Sequence, residues 1–473
     1  MGKRLETPQM LQKYRFSFLL GVLASGAMLS SASAQTKAIA TKAVGGKVSP
    51  EIPKYVSTFE EWGDRYGFSG AEDNDWLLLG FQSRLRVENV SNFYRVDSLP
   101  SEGGAFTRNL IYFGIQDIID PVRFTIELED SRREGVAFPT NTRQTNALDF
   151  LQAYVELYFE DGIGGQVTSF QAGRFTIDAV DRRLIARNRF RNSANTFDGV
   201  RLRIGDDKSP WVANFFATRP VEANQDSFDD RSREERAFYG AYATIRGYSP
   251  STVLEPFYYY LDDDRNEDTG NDRSLHTAGV RAYGQFGDGY DYDVNGTVQW
   301  GELSGLDHFA YFFHAEVGRT FNRHPWKPRV AAWLNYGSGD DDASDNDSGR
   351  FTELFGAPFG LYGFTRLFTA ENTINPVVAL AFKPATDVKV ELYARSYFLA
   401  SDTDAWVRGG RRDVTGESGS HLGEEIDLRV RWQATDELLL NLGGSYYFPG
   451  EFVSNTGESV DSSLIYLQAT YSF

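Results

Sequence analysis

The stretch from Gly173 to Arg203 reads G-R-F-T-I-D-A-V-D-R-R-L-I-A-R-N-R-F-R-N-S-A-N-T-F-D-G-V-R-L-R and carries Arg174, Arg182, Arg183, Arg187, Arg189, Arg191, Arg201 and Arg203. It stands out against a chain with 48 Lys+Arg, 66 Asp+Glu and a formal net charge of −18. A guanidinium offers a planar fork of donors that pairs with carboxylate or phosphate through two bonds at once. A ring of them in a narrow, poorly screened channel concentrates anions and rejects cations. Arg201 and Arg203 alternate with Val200, Leu202 and Ile204, which puts both on the wet face of a strand. The same parity places Arg84, Arg86, Arg123, Arg281, Arg395, Arg429 and Arg431 on that face, with Glu127, Glu129, Glu156 and Asp427 interleaved. Interleaved acids limit how tightly one anion sticks, and conduction needs weak binding at several places. Any single arginine is more often paired with a neighbouring carboxylate; the cluster as a whole reads as an anion path. The outer segment 178–196 is cationic enough to be expected inside the bore as a constriction.

Strands must position these groups. The last segment, S-L-I-Y-L-Q-A-T-Y-S-F, puts Ile465, Leu467, Ala469, Tyr471 and Phe473 on one face and Tyr466, Gln468, Thr470 and Ser472 on the other. Period two recurs from Leu77 onward: Leu79, Phe81, Leu85 and Val87 oppose Gln82, Arg84, Arg86 and Glu88, and Val122, Phe124, Ile126 and Leu128 oppose Arg123, Thr125, Glu127 and Glu129. Alternation alone is ambiguous, because a soluble sandwich would bury the oily face. Connection lengths decide. About 18 strand segments, an even number, are joined by alternating short and long links, as in a transmembrane antiparallel β-barrel with short periplasmic turns and long extracellular loops. The expected long loops include 131–148, 178–196, 219–235, 263–273, 338–372, 400–422 and 449–461. Residues 359–369 are assigned to a folded loop, since a further strand there would spoil the parity. Trp76, Tyr158, Trp211, Tyr258 to Tyr260, Trp300, Trp326, Tyr447 and Phe448 at strand ends are the expected interfacial girdles.

Composition agrees. Mean hydropathy of −0.42 excludes a helical membrane protein. Lys3, Arg4, Lys13 and Arg15 precede an apolar run that ends at Ala32-Ser33-Ala34, which predicts a signal peptide over 1–34. Residues 35–75 are expected to be a periplasmic N-terminal segment with a short helix near Phe59-Glu60-Glu61-Trp62, or a small plug, and 76–473 the barrel in the bacterial outer membrane. With no Cys, disulfides do not hold it. The acidic balance argues against nucleic acid. Outer-membrane lipid and lipopolysaccharide are the expected surroundings, and the strand ending in Phe473 the expected signal to the barrel-assembly machinery. Calcium is conceivable at the acidic loops 262–272 and 340–347, but neither keeps EF-hand spacing with its closing Glu. Solvated anionic loops are preferred, so no cofactor is expected.

The run from Gly173-Arg174 through Arg182-Arg183-Leu184-Ile185-Ala186-Arg187 to Asn195-Thr196-Phe197-Asp198-Gly199-Val200-Arg201 resembles the alginate export family of outer-membrane barrels. That family keeps a Gly-Arg strand, an Arg-Leu segment and a Phe-Asp-Gly-x-Arg strand start. Gly423-Glu424-Glu425-Ile426-Asp427-Leu428 and Tyr447-Phe448-Pro449-Gly450-Glu451-Phe452 are similar too. The resemblance spans nearly the whole mature chain in architecture and these two zones in motif. It implies a monomeric barrel of about 18 strands passing a linear polyuronate, or another anion, through an arginine-lined pore. The alternatives are a barrel enzyme and a surface receptor acting through its long loops. His276, His308, His314, His324 and His421 are scattered and suggest no Ser/His/carboxylate constellation by spacing.

Overall fold

The computed structural model describes residues 68–70, 76–94, 101–135, 142–264, 272–342 and 344–472. The expected signal peptide, the helix near 59–62 and the terminal Phe473 lie outside the described residues. From the 35–75 segment, Phe68–Gly70 pairs with Leu78–Gly80.

An 18-strand antiparallel barrel follows. Its first half runs Leu77–Ser91, Glu102–Ile119, Val122–Glu134, Asn146–Phe159, Thr168–Phe175, Phe197–Ile204, Trp211–Glu222, Arg236–Ser249 and Thr252–Asp263. Its second half runs Arg273–Phe286, Tyr290–Leu303, Leu306–Thr320, Arg329–Gly337, Thr373–Ala385, Val388–Phe398, His421–Gln433, Leu438–Pro449 and Ser462–Ser472. Each strand pairs with the next, and the last returns to the first in a register running from Gln82↔Ser472 to Ser91↔Ser463. Closure leaves no open edge, so every wall strand has a partner on both sides.

The wall shows which face is wet. Leu85, Val87, Ile426 and Ile465 are 49%, 52%, 54% and 58% exposed, whereas Arg84, Glu391 and Asp427 are 2%, 0% and 0% exposed. A sandwich would invert this order. Oily residues point out to lipid and charged ones point into the bore. Trp76, Trp211, Tyr258, Trp300, Trp326 and Phe448 lie exposed on the outside, as girdle residues should. Three others do not: Tyr259 and Tyr447 are buried in the interior cluster, and Tyr158 sits against the Arg123 guanidinium at 3.5 Å. Their parity turns them inward.

Short links such as 120–121, 250–251, 287–289 and 386–387 lie at one end, with both barrel termini. The other end carries 176–196, 223–235, 338–372, 399–420 and 450–461, with one tight link at 304–305. Residues 359–369 form no strand, as expected. The interior of this outer half is not hollow. Phe175, Ile177, Ile185, Phe197, Phe238, Phe351 and Phe368 share one apolar cluster, in which wall residues pack against the loops 176–196 and 338–372.

Candidate functional site: the interior constriction

Loop 176–196 enters the bore and is fastened to the wall. The Arg187 fork meets Glu127 on Val122–Glu134 at 2.7 and 3.0 Å. Arg183 pairs with Asp181 at 2.7 Å and reaches His314 Nδ1 at 3.1 Å. Against the upward push of burial, the Arg183 and Arg281 guanidiniums hold the Asp181 carboxyl down at about 2, so this loop pair stays ionised. Next, the wall grips the loop backbone. Arg84 and Arg86 stand two residues apart on Leu77–Ser91, hence on one face, and Arg108 faces Arg84 in register. Arg84 donates to the Arg189 carbonyl at 2.6 Å, the Arg191 carbonyl at 3.2 Å and Asn192 Oδ1 at 2.8 Å. Arg86 donates to the Phe190 carbonyl at 2.6 Å and Arg108 to that of Arg189 at 3.0 Å. Three wall guanidiniums thus hold three successive loop carbonyls. Such bonds orient a guanidinium, and Arg86 is in addition paired with Glu88 at 3.1 Å.

Loop 338–372 is held by Val388–Phe398 and His421–Gln433. Arg395 donates to the carbonyls of Gly360 and Leu361 at 2.8 and 3.3 Å. Glu425 accepts the Phe364 and Thr365 N–H groups at 2.6 and 3.2 Å. The two loops meet at Phe190 and Phe359, whose rings stack with centroids 3.3 Å apart and planes 2° apart. The Arg86 guanidinium lies over Phe190 at 4.2 Å; behind Phe359 stands Phe364 at 4.9 Å, with Arg429 over it at 5.4 Å. A column of planar groups, Arg86, Phe190, Phe359, Phe364 and Arg429, therefore links Leu77–Ser91 to His421–Gln433, two strands that only Leu438–Pro449 and Ser462–Ser472 separate in the wall. Stacked rings and ring-faced cations favour each other in this order.

Two cavities adjoin the column and share Asn188, Phe190 and Phe359 as a common wall. The one toward the short turns, of about 120 Å³, is lined by Arg84, Arg108, Arg182, Arg189, Arg429 and Arg431 and by no carboxylate. The outer one, of about 950 Å³, mixes signs: Arg86, Arg143, Arg191 and Arg366 face Glu222, Glu353 and Glu371. Burial pushes the loop guanidiniums of Arg189 and Arg191 down to about 10, which leaves both cationic at neutral pH. Glu353 pairs with Arg408 at 3.0 Å in the outer cavity.

The alginate export family model matches residues 75–466. The chain belongs to the alginate export family. No curated protein matches it significantly. Its fold is shared with outer-membrane proteins of Pseudomonas aeruginosa. OccK8 (OprE) superposes with a TM-score of 0.57 at 13% identity, covering 84% of this chain and 98% of that one. OpdK, solved with vanillate, gives 0.59 at 10% identity over 84% and 98%. OccK3 (OpdO) gives 0.55 at 12% identity over 84% and 95%. The chain is thus an outer-membrane β-barrel channel of the porin kind.

In this alginate export family barrel, Arg84, Arg86, Arg182, Arg189, Arg191, Arg429 and Arg431 border the two cavities. Of these, Arg429 and Arg431 also pair with Glu391 at 2.7 and 3.1 Å and Arg189 with Asp178 at 3.1 Å; others named from sequence lie inside but away from the cavities. Arg281 is held by Asp293 at 2.6 and 2.8 Å and by Glu255 at 3.0 Å, and Arg395 by Asp427 at 2.8 Å. Arg201 donates to Gln171 at 2.8 Å, and Glu156 accepts from Gln171 at 3.0 Å. Arg123 and Arg203 sit at the short-turn end, 2.9 Å from Asp117 and Asp207.

Arg174 departs from expectation. It pairs in register with Asp198, one residue out of phase with the inward Gln171 and Arg201, so both project from the outside of the wall. There Arg174 grips Asp198 at 2.7 and 3.0 Å and lines no part of the bore. The Phe-Asp-Gly motif is structural here. Phe197 packs in the interior cluster, Asp198 holds Arg174, and a Cβ on Gly199 would run into the backbone at Ala217 and Thr218. Sequence reasoning missed Arg108, Arg366, Phe190 and Phe359. Arg366 pairs with Glu88 at 3.2 Å beside the outer cavity. The density of Phe and Gly in 351–369, too apolar for an open loop, is the signal that could have found the second loop.

Proposed function

We propose that this barrel conducts anionic solutes through the constriction formed by its two inserted loops. The observation that carries this reading is the inner cavity beside the Phe190–Phe359 stack, with six arginines on its lining and no carboxylate. Its field attracts carboxylates, and its forks pair with them in planar geometry. The rings give an uncharged waist at which an anion leaves one set of guanidiniums before it meets the next, and weak successive contacts of this kind allow passage. The family points to carboxylated sugars, alginate or its oligomers, as the solute. A second solute class, aromatic carboxylates, is favoured by the stacked rings and by the vanillate in the fold neighbour OpdK.

The test is planar-bilayer recording of the purified barrel. Anion-over-cation permeability, with current interrupted by uronate oligomers, is the expected result. Interruption by vanillate but not by uronate oligomers would assign the second class. Cation preference, or no conductance, would overturn the proposal and favour a receptor or catalytic role for the loops.

A further inference from the structure

A second cluster of chemistry lies away from the bore, where outer loop 223–235 rests against the start of Asn146–Phe159. The loop is stitched down by Phe228 N–H to the Leu148 carbonyl at 3.2 Å and by the Phe150 and Phe228 rings, 5.4 Å apart. Here Asp149, Asp229 and Asp230 bring one carboxylate oxygen each to within 4.8 Å of one another. Like charges this close destabilise the loop unless a cation sits among them. The Arg174 guanidinium approaches Asp149 to 3.6 Å, but its Nε and Nη2 are already paired with Asp198 at 2.7 and 3.0 Å.

The second observation is a surplus of acceptors. Asn146 is 4% exposed and its amide nitrogen lies 2.6 Å from Asp230 Oδ2, yet its Oδ1 is enclosed and has no hydrogen-bond partner. Asp229 Oδ1 is likewise enclosed and unpartnered. Enclosed orphan oxygens are costly, and these belong to a member of the cluster and to the asparagine bonded to it. The two ends of an amide exchange by a half-turn, which would bring the Asn146 oxygen to face Asp230 across a shared cation.

We propose that Asp149, Asp229, Asp230 and the Asn146 amide oxygen form a calcium site that pins loop 223–235 to the outer rim of the barrel. Carboxylate and amide oxygens are the ligands this hard cation takes, with water completing its shell. The site belongs to neither acidic run singled out from sequence, 262–272 or 340–347. Nor does it depend on what the bore carries.

The test uses the full mature barrel in detergent, stripped with EDTA and titrated with calcium chloride by calorimetry. Wild type is expected to take up calcium and to unfold at a higher temperature with calcium than with EDTA. The Asp229→Asn/Asp230→Asn double variant should lose one equivalent of bound calcium and that thermal shift. Asp229→Asn alone should weaken uptake roughly tenfold. Heat-dependent gel mobility confirms that each variant is a folded barrel. Absence of calcium uptake by wild type, or unchanged stoichiometry in the folded double variant, would overturn the proposal.

Discussion

Two sectors of the barrel interior carry arginines at the same depth of burial and use them oppositely. Around Thr252–Asp263 to Arg329–Gly337, Arg281 meets Asp293 and Glu255, and Arg329 meets Asp291 at 3.0 Å and Glu316 at 2.6 Å. Each guanidinium there faces two carboxylates, and its charge is cancelled on the spot. Around Leu77–Ser91 and Glu102–Ile119, Arg84 and Arg108 donate to neutral carbonyls of loop 176–196. There the forks go to the loop backbone, with Glu88 in electrostatic reach of Arg84 and Glu129 of Arg108. The difference teaches that counting lumen arginines says little about selectivity. What each one donates to decides whether its field reaches a solute.

The comparison can be broken most directly at Arg84 and Arg108. Changing both to Glu should lower the anion-to-cation permeability ratio roughly tenfold or more in bilayer recordings. A ratio that survives would place the selectivity elsewhere. Arg281→Leu should do the reverse. It leaves Asp293 and Glu255 without their partner and costs about 3–5 kcal/mol in urea unfolding from lipid vesicles, while selectivity stays as in wild type. Phe190→Ala removes one ring of the stacked pair beside Arg84 and Arg86. Single-channel conductance should rise several-fold, at a loss of about 0.5–1.5 kcal/mol of stacking.

The smallest effect concerns the outer cavity. Burial lifts the Glu353 carboxyl to about 7 against the pull of Arg408, with Glu371 adding to the lift. A carboxyl raised in the folded state binds a proton there that the unfolded chain has already released. Stability from this group is therefore lost as pH rises from the ordinary Glu range through about 7. The thermal midpoint should fall between about pH 5 and about pH 8, and Glu353→Gln should flatten that dependence.

The wall was legible because lipid and water enforce period two on almost every strand, and link lengths then set the count and the orientation. The lumen was legible only where its residues are polar. In Glu102–Ile119 the inward positions include Phe106 and Leu110, 1% and 2% exposed, so Arg108 between them did not stand out as part of a wet face. Those apolar residues point inward because the loops bring their own apolar core into the outer half. Phe190 and Phe359 carry no periodic signal at all, since a loop's course is set by tertiary bonds such as Arg84 to the Arg189 carbonyl. Arg174 reads as a bore residue only because it lies in the arginine run; its parity differs from that of Arg201.

The grip on carbonyls 189–191 comes from Leu77–Ser91 and its neighbour, while Tyr466 on the last strand meets the edges of Phe190 and Phe359 at 5.4 and 6.1 Å. The seat of the stacked pair is thus completed only when the newest strand docks beside the oldest. A nascent cylinder with its seam still open has no finished waist, so sieving begins with the final zipping of the wall.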